Sequence, residues 1–218
     1  MTFDLSLSCR CGRVRGTASI AAPSAGFRLV CYCRDCQAFA HFLAQVPEKG
    51  PPAFRAGHTP PQEPDVLDRA GGTDIFQMPT GRLKLTAGTE AVRCLRLSGK
   101  GILRWYADCC RTPIGNTVGP RVPVVGLIHS FISGEAGGPS RDEVLGEPLC
   151  RVYAGSASGP LPPDAPPPAS FGLHFRRAAA FLGWWWRGLA RPNPFFDAQT
   201  GAPLAVPRVL TPSERAAL

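Results

Sequence analysis

Three cysteines fall within six residues in Cys31-Tyr32-Cys33-Arg34-Asp35-Cys36. Side chains two apart on a strand point to the same side, so Phe27, Leu29, Cys31 and Cys33 can share one face. Two residues of turn then bring Cys36 back towards the same point, and three thiolates so placed grip one soft metal ion. Nothing else in the run supplies a fourth ligand. The site is therefore either open, as catalytic zinc sites are, or closed by a ligand from elsewhere in the chain. Three thiolates leave a zinc complex at about −1, a weak Lewis acid that suits holding a fourth thiol as thiolate better than activating water. Arg28 and Arg34 are candidates to moderate that charge and to bind substrate carboxylates, with plain exposure as the alternative. His41 is the one histidine of four close to this run, as proton shuttle, fourth ligand or an ordinary packed side chain. Asp35 reads as a hydrogen-bond partner for the backbone of the metal turn.

The chain has 218 residues, nine cysteines and a net charge of +8. That length suits one domain with an extension, or two small ones. Seven of the cysteines sit in close groups at 9 and 11, 31 to 36, and 109 and 110. Secreted disulfide scaffolds favour even counts, so this odd, clustered set implies thiols kept for metal in a reducing cytoplasm. Met1-Thr2-Phe3-Asp4 does not read as a secretory leader, and no run approaches the ~20 apolar residues of a membrane span. The arginines are scattered, without the basic block or interleaved aromatics of a nucleic-acid surface, so no nucleic-acid partner is expected despite a pI of about 9.3. Cys94 and Cys150 stand alone and read as small apolar residues. No Ser/His/Asp set or phosphate-cradling glycine loop stands out.

The elements that must position these groups are short. Phe3, Leu5 and Leu7 alternate with polar residues into Cys9-Arg10-Cys11-Gly12, where Gly12 supplies a knuckle turn. A returning strand follows near 14–19, turn material at 23–26, a strand at 27–33 and a short helix at 37–43 that Pro47 stops. Residues 48–64 read as loop. Strands are expected at 73–77, at 81–88 with a hairpin partner at 92–97 bulged at Cys94-Leu95, at 101–106 and at 124–132. Many short strands with glycine-rich turns give a mainly β fold, a small antiparallel sandwich or tent.

Composition changes after Ser133, and six of the nine residues from Pro160 to Pro168 are proline. The expected division is a zinc-binding β domain over 1–133, a Pro/Gly-rich linker over 134–170 and a Trp-rich helical extension over 171–218. A helix is expected over 171–189. Trp184-Trp185-Trp186 point three ways around it, so they cannot all face one core; packing on the β domain competes with contact to a partner or a membrane surface. Thr211-Pro212-Ser213-Glu214 has the form of a capping box.

Cys-x-Cys-Gly at 9–12, Cys-x-Cys-x-x-Cys at 31–36 and Thr-Pro-Ile after Cys110 resemble the glutathione-dependent formaldehyde-activating (GFA-like) family over roughly Leu5 to Ile132. The resemblance implies a β-tent with zinc knuckles and two zinc ions. It implies that Cys9 and Cys11 join the late cysteines Cys109 and Cys110 in a structural site. Cys31, Cys33 and Cys36 would hold a second zinc tied to glutathione binding and catalysis. The implied reaction joins glutathione and formaldehyde reversibly, a carbon–sulfur lyase chemistry. This chain departs from the family's late Phe-Cys-x-x-Cys-Gly-x-Pro: Ala107 stands where the first cysteine belongs, with Cys109 the nearest substitute, and Arg111 stands at the glycine. It also carries Ala40-His41 after the middle motif where many members have Ser-Gly, and its tail has no counterpart in short members. Two functions follow as expectations. One is an enzyme acting on, or carrying, thiol adducts of an aldehyde. The other is a zinc-stabilised binding module whose tail contacts a partner.

Overall fold

The computed structural model describes residues 3–22, 25–45, 66–133 and 141–218. Within these, two sheets carry the fold, which is mainly β and mainly antiparallel as the pattern of short strands implied. Strands β1 (Phe3–Ser8), β2 (Arg15–Ile20) and β5 (Leu83–Ala87) form one sheet in that order. The larger sheet has eight strands in the order β10-β3-β4-β9-β8-β7-β6-β11. These are β3 (Phe27–Cys31), β4 (Thr73–Met78), β6 (Val92–Arg96), β7 (Leu103–Ala107), β8 (Thr112–Thr117), β9 (Val125–Ile128), β10 (Cys150–Val152) and β11 (Arg208–Val209). Helices are α1 (Arg34–Ala44), α2 (Arg141–Leu145), α3 (Phe171–Trp186) and α4 (Pro212–Ala216). The expected turn at 23–26 is described only at 25–26, and the expected loop over 48–64, with Pro47, lies outside the described residues.

Leu5, Leu7, Ala18 and Leu83 from the small sheet meet Phe76, Trp105, Ile114 and Leu127 from the large one in the main core. On the opposite face of the large sheet, Phe39, Phe42 and Leu43 of α1 pack on Leu95, Tyr106 and Ile128. A sheet covered on both faces buries consecutive residues. That explains Cys94-Leu95: Cys94 faces the first core and Leu95 the second, so both are buried without a bulge. The register shift lies instead at Trp105/Tyr106, between β7 and β8.

The expected hairpin of 81–88 with 92–97 does not form. β5 pairs with β2 and β6 with β7, in different sheets. The chain crosses between them at Gly88, whose φ of +71° opens the 3-10 turn Thr89–Ala91. A side chain there would clash with the Arg13 carbonyl, so both the backbone angle and the close approach call for glycine.

The stretch expected as a linker is in part built into the sheet. β10 pairs in parallel with β3, matching Cys150 to Leu29 and Val152 to Cys31. The extension is anchored too, since Phe195 stacks on the Trp105 ring at 4.8 Å and β11 pairs with β6. Of the three adjacent tryptophans only Trp184 is buried, against Phe27 and Phe181. The capping box forms as its residues imply, with Thr211 and Glu214 each bonding the other's backbone N–H.

Candidate functional site

Cys9, Cys11, Cys109 and Cys110 come together with their sulfurs within 4.8 Å of one another. The first pair sits on a knuckle. The Cys9 carbonyl accepts from the Gly12 N–H at 2.8 Å, Gly12 has a φ of +74°, and the Cys9 N–H donates to the Val14 carbonyl at 2.9 Å. The second pair lies in the turn between β7 and β8, where Arg111 at a φ of 59° bends the backbone so that adjacent cysteines reach one point. Sulfur separations are 3.6 Å for Cys9–Cys11, 3.8 Å for Cys9–Cys109, 3.3 Å for Cys11–Cys109 and 3.9 Å for Cys109–Cys110. Four sulfurs at ~2.3 Å from a tetrahedral ion stand about 3.8 Å apart, while a disulfide needs about 2.05 Å. The donor set and spacing fit a closed metal site. Hydrogen bonds from the Cys109 and Cys9 thiols, with the Thr112 hydroxyl 3.1 Å away, push the Cys110 thiol far below its ordinary value. Val14 N–H donates to Cys9 Sγ at 3.2 Å.

Arg111 ties this turn to the second cluster. Its Nη2 donates to the Phe42 carbonyl at 2.6 Å, and its guanidinium lies 4.4 Å over the Phe42 ring. A cation on the last carbonyls of α1 is favourably placed against the helix dipole. At the other end of the same helix Cys33 is the N-cap and Cys36 sits in the first turn. Cys36 is therefore returned by helix geometry, not by a two-residue turn after a longer strand.

Cys31, Cys33 and Cys36 also lie within 4.8 Å of one another, and among the described residues no fourth Cys, His, Asp or Glu joins them. Thiol hydrogen bonds from Cys31 and then Cys36 push the Cys33 thiol down to about 2, and Arg104 adds to the lowering. Cys31 is pushed up in return, first by its hydrogen bond with Cys33. The cluster lines a cavity of about 1110 Å3. Ligand clefts commonly run to about 300–1,000 Å3, so this one is ample for a small molecule.

The cavity wall is cationic. Arg34, Lys100, Arg104, Arg151 and Arg177 line it, against one carboxylate among the described residues, Asp35. Arg104 is 2 % exposed, with its Nη1 3.9 Å from Cys36 Sγ and 3.4 Å from Asn116 Oδ1. Asp35 receives a 2.7 Å bond from Arg215 of α4 and stands 3.7 Å from Arg104, so its carboxylate serves an ion pair. Arg28, expected near this charge, is occupied elsewhere: it donates to Asp74 at 2.7 Å and Asp142 at 2.6 Å and does not line the cavity. His41 does not line it either, whereas His174 of α3 does. Cys94 is buried in the main core, and Cys150 packs beside Cys31 and Cys36 without entering either thiol cluster.

The profile of a family described as DUF6151, a family of unknown function, matches residues 52–206, more than half of the chain. The chain belongs to the DUF6151 family. The DUF6151 match takes in Cys109, Cys110, Arg104 and the β10–α3 segment, while the five cysteines from Cys9 to Cys36 precede it. No curated protein matches the sequence.

Sequence reasoning missed Arg104, Lys100, Arg151, Arg177 and His174 as cavity residues. One signal was present. Arg104 interrupts the run Leu103–Ala107, every residue of which is buried, and a charge at such a position asks for a partner. The others carry no local signal: Lys100 lies in the loop before β7, and Arg151, Arg177 and His174 belong to the tail, whose β10 pairs in parallel with β3.

Proposed function

We propose that this protein holds two zinc ions. On this reading Cys9, Cys11, Cys109 and Cys110 enclose a structural ion, and Cys31, Cys33 and Cys36 hold a second at the cavity, where a small anionic thiol of the glutathione type binds. The activity proposed is that of a carbon–sulfur lyase, or a carrier, for the adduct of such a thiol with an aldehyde such as formaldehyde. One observation carries this reading: three clustered thiols with no fourth protein ligand among the described residues face a cavity walled by cations. The cysteine motifs shared with GFA-like proteins support it. The need to keep seven ligand thiols reduced favours a reducing compartment such as the cytoplasm.

Zinc held by three thiolates would supply a site that keeps a fourth thiol deprotonated. The chain's own residues do the rest. Arg34, Lys100 and Arg151 draw the carboxylates of the thiol to the wall, and Arg104 offsets negative charge beside Cys36. In breakdown of the adduct, the hydroxyl gives its proton to solvent, its oxygen forms the carbonyl, and the carbon–sulfur pair returns to sulfur. The sulfur leaves as thiolate. In the reverse direction the thiolate adds to the carbonyl carbon and the resulting alkoxide takes up a proton.

Cobalt substitution tests this. Glutathione should change the thiolate-to-cobalt charge-transfer band saturably, and Cys33→Ser should abolish the response with the fold intact. Metal released into solution is measured alongside. No spectral change and no release at millimolar glutathione would leave both clusters as structural sites in a binding module.

A further inference from the structure

Helix α3 is apolar on two separate sides. Its inner side is accounted for: Trp184 and Phe181 pack against Phe27, with ring centroids 6.2 and 6.3 Å away. The outer side carries Phe171, Phe175, Leu182, Trp185 and Trp186, which are 57 to 87 % exposed. At ~100° per residue these five fall within an arc of about 100°, and the helix is about 24 Å long, so they form one continuous stripe. A surface helix ordinarily turns charged residues outward there.

We propose that this face of α3 seats on the surface of an anionic phospholipid bilayer, with the helix lying in the plane of the interface. Charge complementarity singles out this occupant. From Ala165 to Phe196 the chain has no Asp or Glu but carries Arg176, Arg177, Arg187 and Arg191. Exposed Arg176 and Arg187 lie on the neighbouring face, about 80–100° beyond Trp186 and past Gly172, Ala179 and Gly183, while exposed His174 stands about 20° beyond Trp185. Trp185 and Trp186, being consecutive, fall near the two opposite borders of the arc. Indoles at the margins of an apolar arc, with arginines on the adjoining polar face, match a helix lying at the headgroup boundary of a bilayer. No described helix is long and apolar enough to cross a membrane, so the contact is with the surface.

The test uses the full-length, metal-loaded protein and vesicles of phosphatidylcholine with or without phosphatidylglycerol. The protein should sediment with the anionic vesicles and stay in solution with phosphatidylcholine alone, and added salt should weaken binding. Brominated acyl chains should quench tryptophan emission in the native protein and not in Trp185→Ser/Trp186→Ser. That double variant should bind at least tenfold more weakly with unchanged metal content and thermal midpoint, since both side chains are exposed. Arg176→Glu/Arg187→Glu should lose the preference for anionic vesicles. Absence of vesicle binding, or binding indifferent to both double variants, overturns the proposal. Concentration-dependent dimers that dissociate in Trp185→Ser/Trp186→Ser, with no vesicle binding, would assign the face to a second copy of the chain.

Discussion

Cys9, Cys11, Cys109 and Cys110 meet beside the main core from chain segments a hundred residues apart, and their four sulfurs lie within 4.8 Å of one another. Cys31, Cys33 and Cys36 come from one strand end and the helix after it, line a cavity, and have no fourth Cys, His, Asp or Glu beside them among the described residues. The ligand atoms are the same in both places; what differs is who closes the shell. A shell closed by distant chain segments makes the ion a cross-link, whereas one left to the solvent side makes it a binding site. The cation distribution follows: Arg104 lies 3.9 Å from Cys36 Sγ, while the first cluster is served by backbone N–H groups and Thr112.

The largest effect should come from opening the closed cluster. Metal binding contributes about 10–16 kcal/mol to the folding of zinc-finger peptides, so Cys11→Ser or Cys110→Ser should leave much of the chain unfolded at room temperature. Circular dichroism and metal content check this, and a folded variant with both ions would erase the contrast. Next, Cys33→Ser should drop the metal content from two ions to one, with only a small shift of the thermal midpoint. Unfolding of Cys33→Ser would make the second site structural as well.

Arg104→Met sharpens the electrostatic half of the contrast. Affinity for glutathione should fall about tenfold, the equivalent of ~1.4 kcal/mol, while a neutral thiol such as mercaptoethanol loses little. Equal losses for both thiols in titration calorimetry would assign Arg104 to packing alone. The smallest effect belongs to Arg111→Gly. Relief of a left-handed backbone offsets part of the bond to the Phe42 carbonyl, leaving a net loss of about 1–2 kcal/mol in urea denaturation. A stabilised variant would mean that the link between the two clusters contributes nothing.

The ligand groups were legible because metal spacing is local: Cys-x-Cys and Cys-x-x-Cys fix which sulfurs converge before any topology is known. Cys109 was readable only against the family pattern, and the bend that admits it rests on Arg111, a residue type that gives no turn signal. Strand alternation failed at Cys94-Leu95 because period-two reasoning assumes one dry face, and this sheet has two. The proline-rich stretch read as a spacer from composition, yet Cys150–Val152 lies just before it and hydrogen-bonds to β3, with Gln37 holding the Ser156 carbonyl at 2.8 Å. Nothing in a three-residue strand announces its partner. The cationic wall was hidden for the same reason, being assembled from β7, the loop before it and the tail.

The long separation between the halves of the closed cluster sets an order of events on the ribosome. Cys9, Cys11, Cys31, Cys33 and Cys36 all leave the exit tunnel well before Cys109 and Cys110 are made. The three-thiol group is complete within six residues and is able to load at once. Cys9 and Cys11 must wait as a bare dithiol until the β7–β8 turn appears. On the two-ion reading, the nascent chain is open to oxidation and to wrong pairing through that interval, and its yield should rise with the reducing power and free metal of the compartment that makes it.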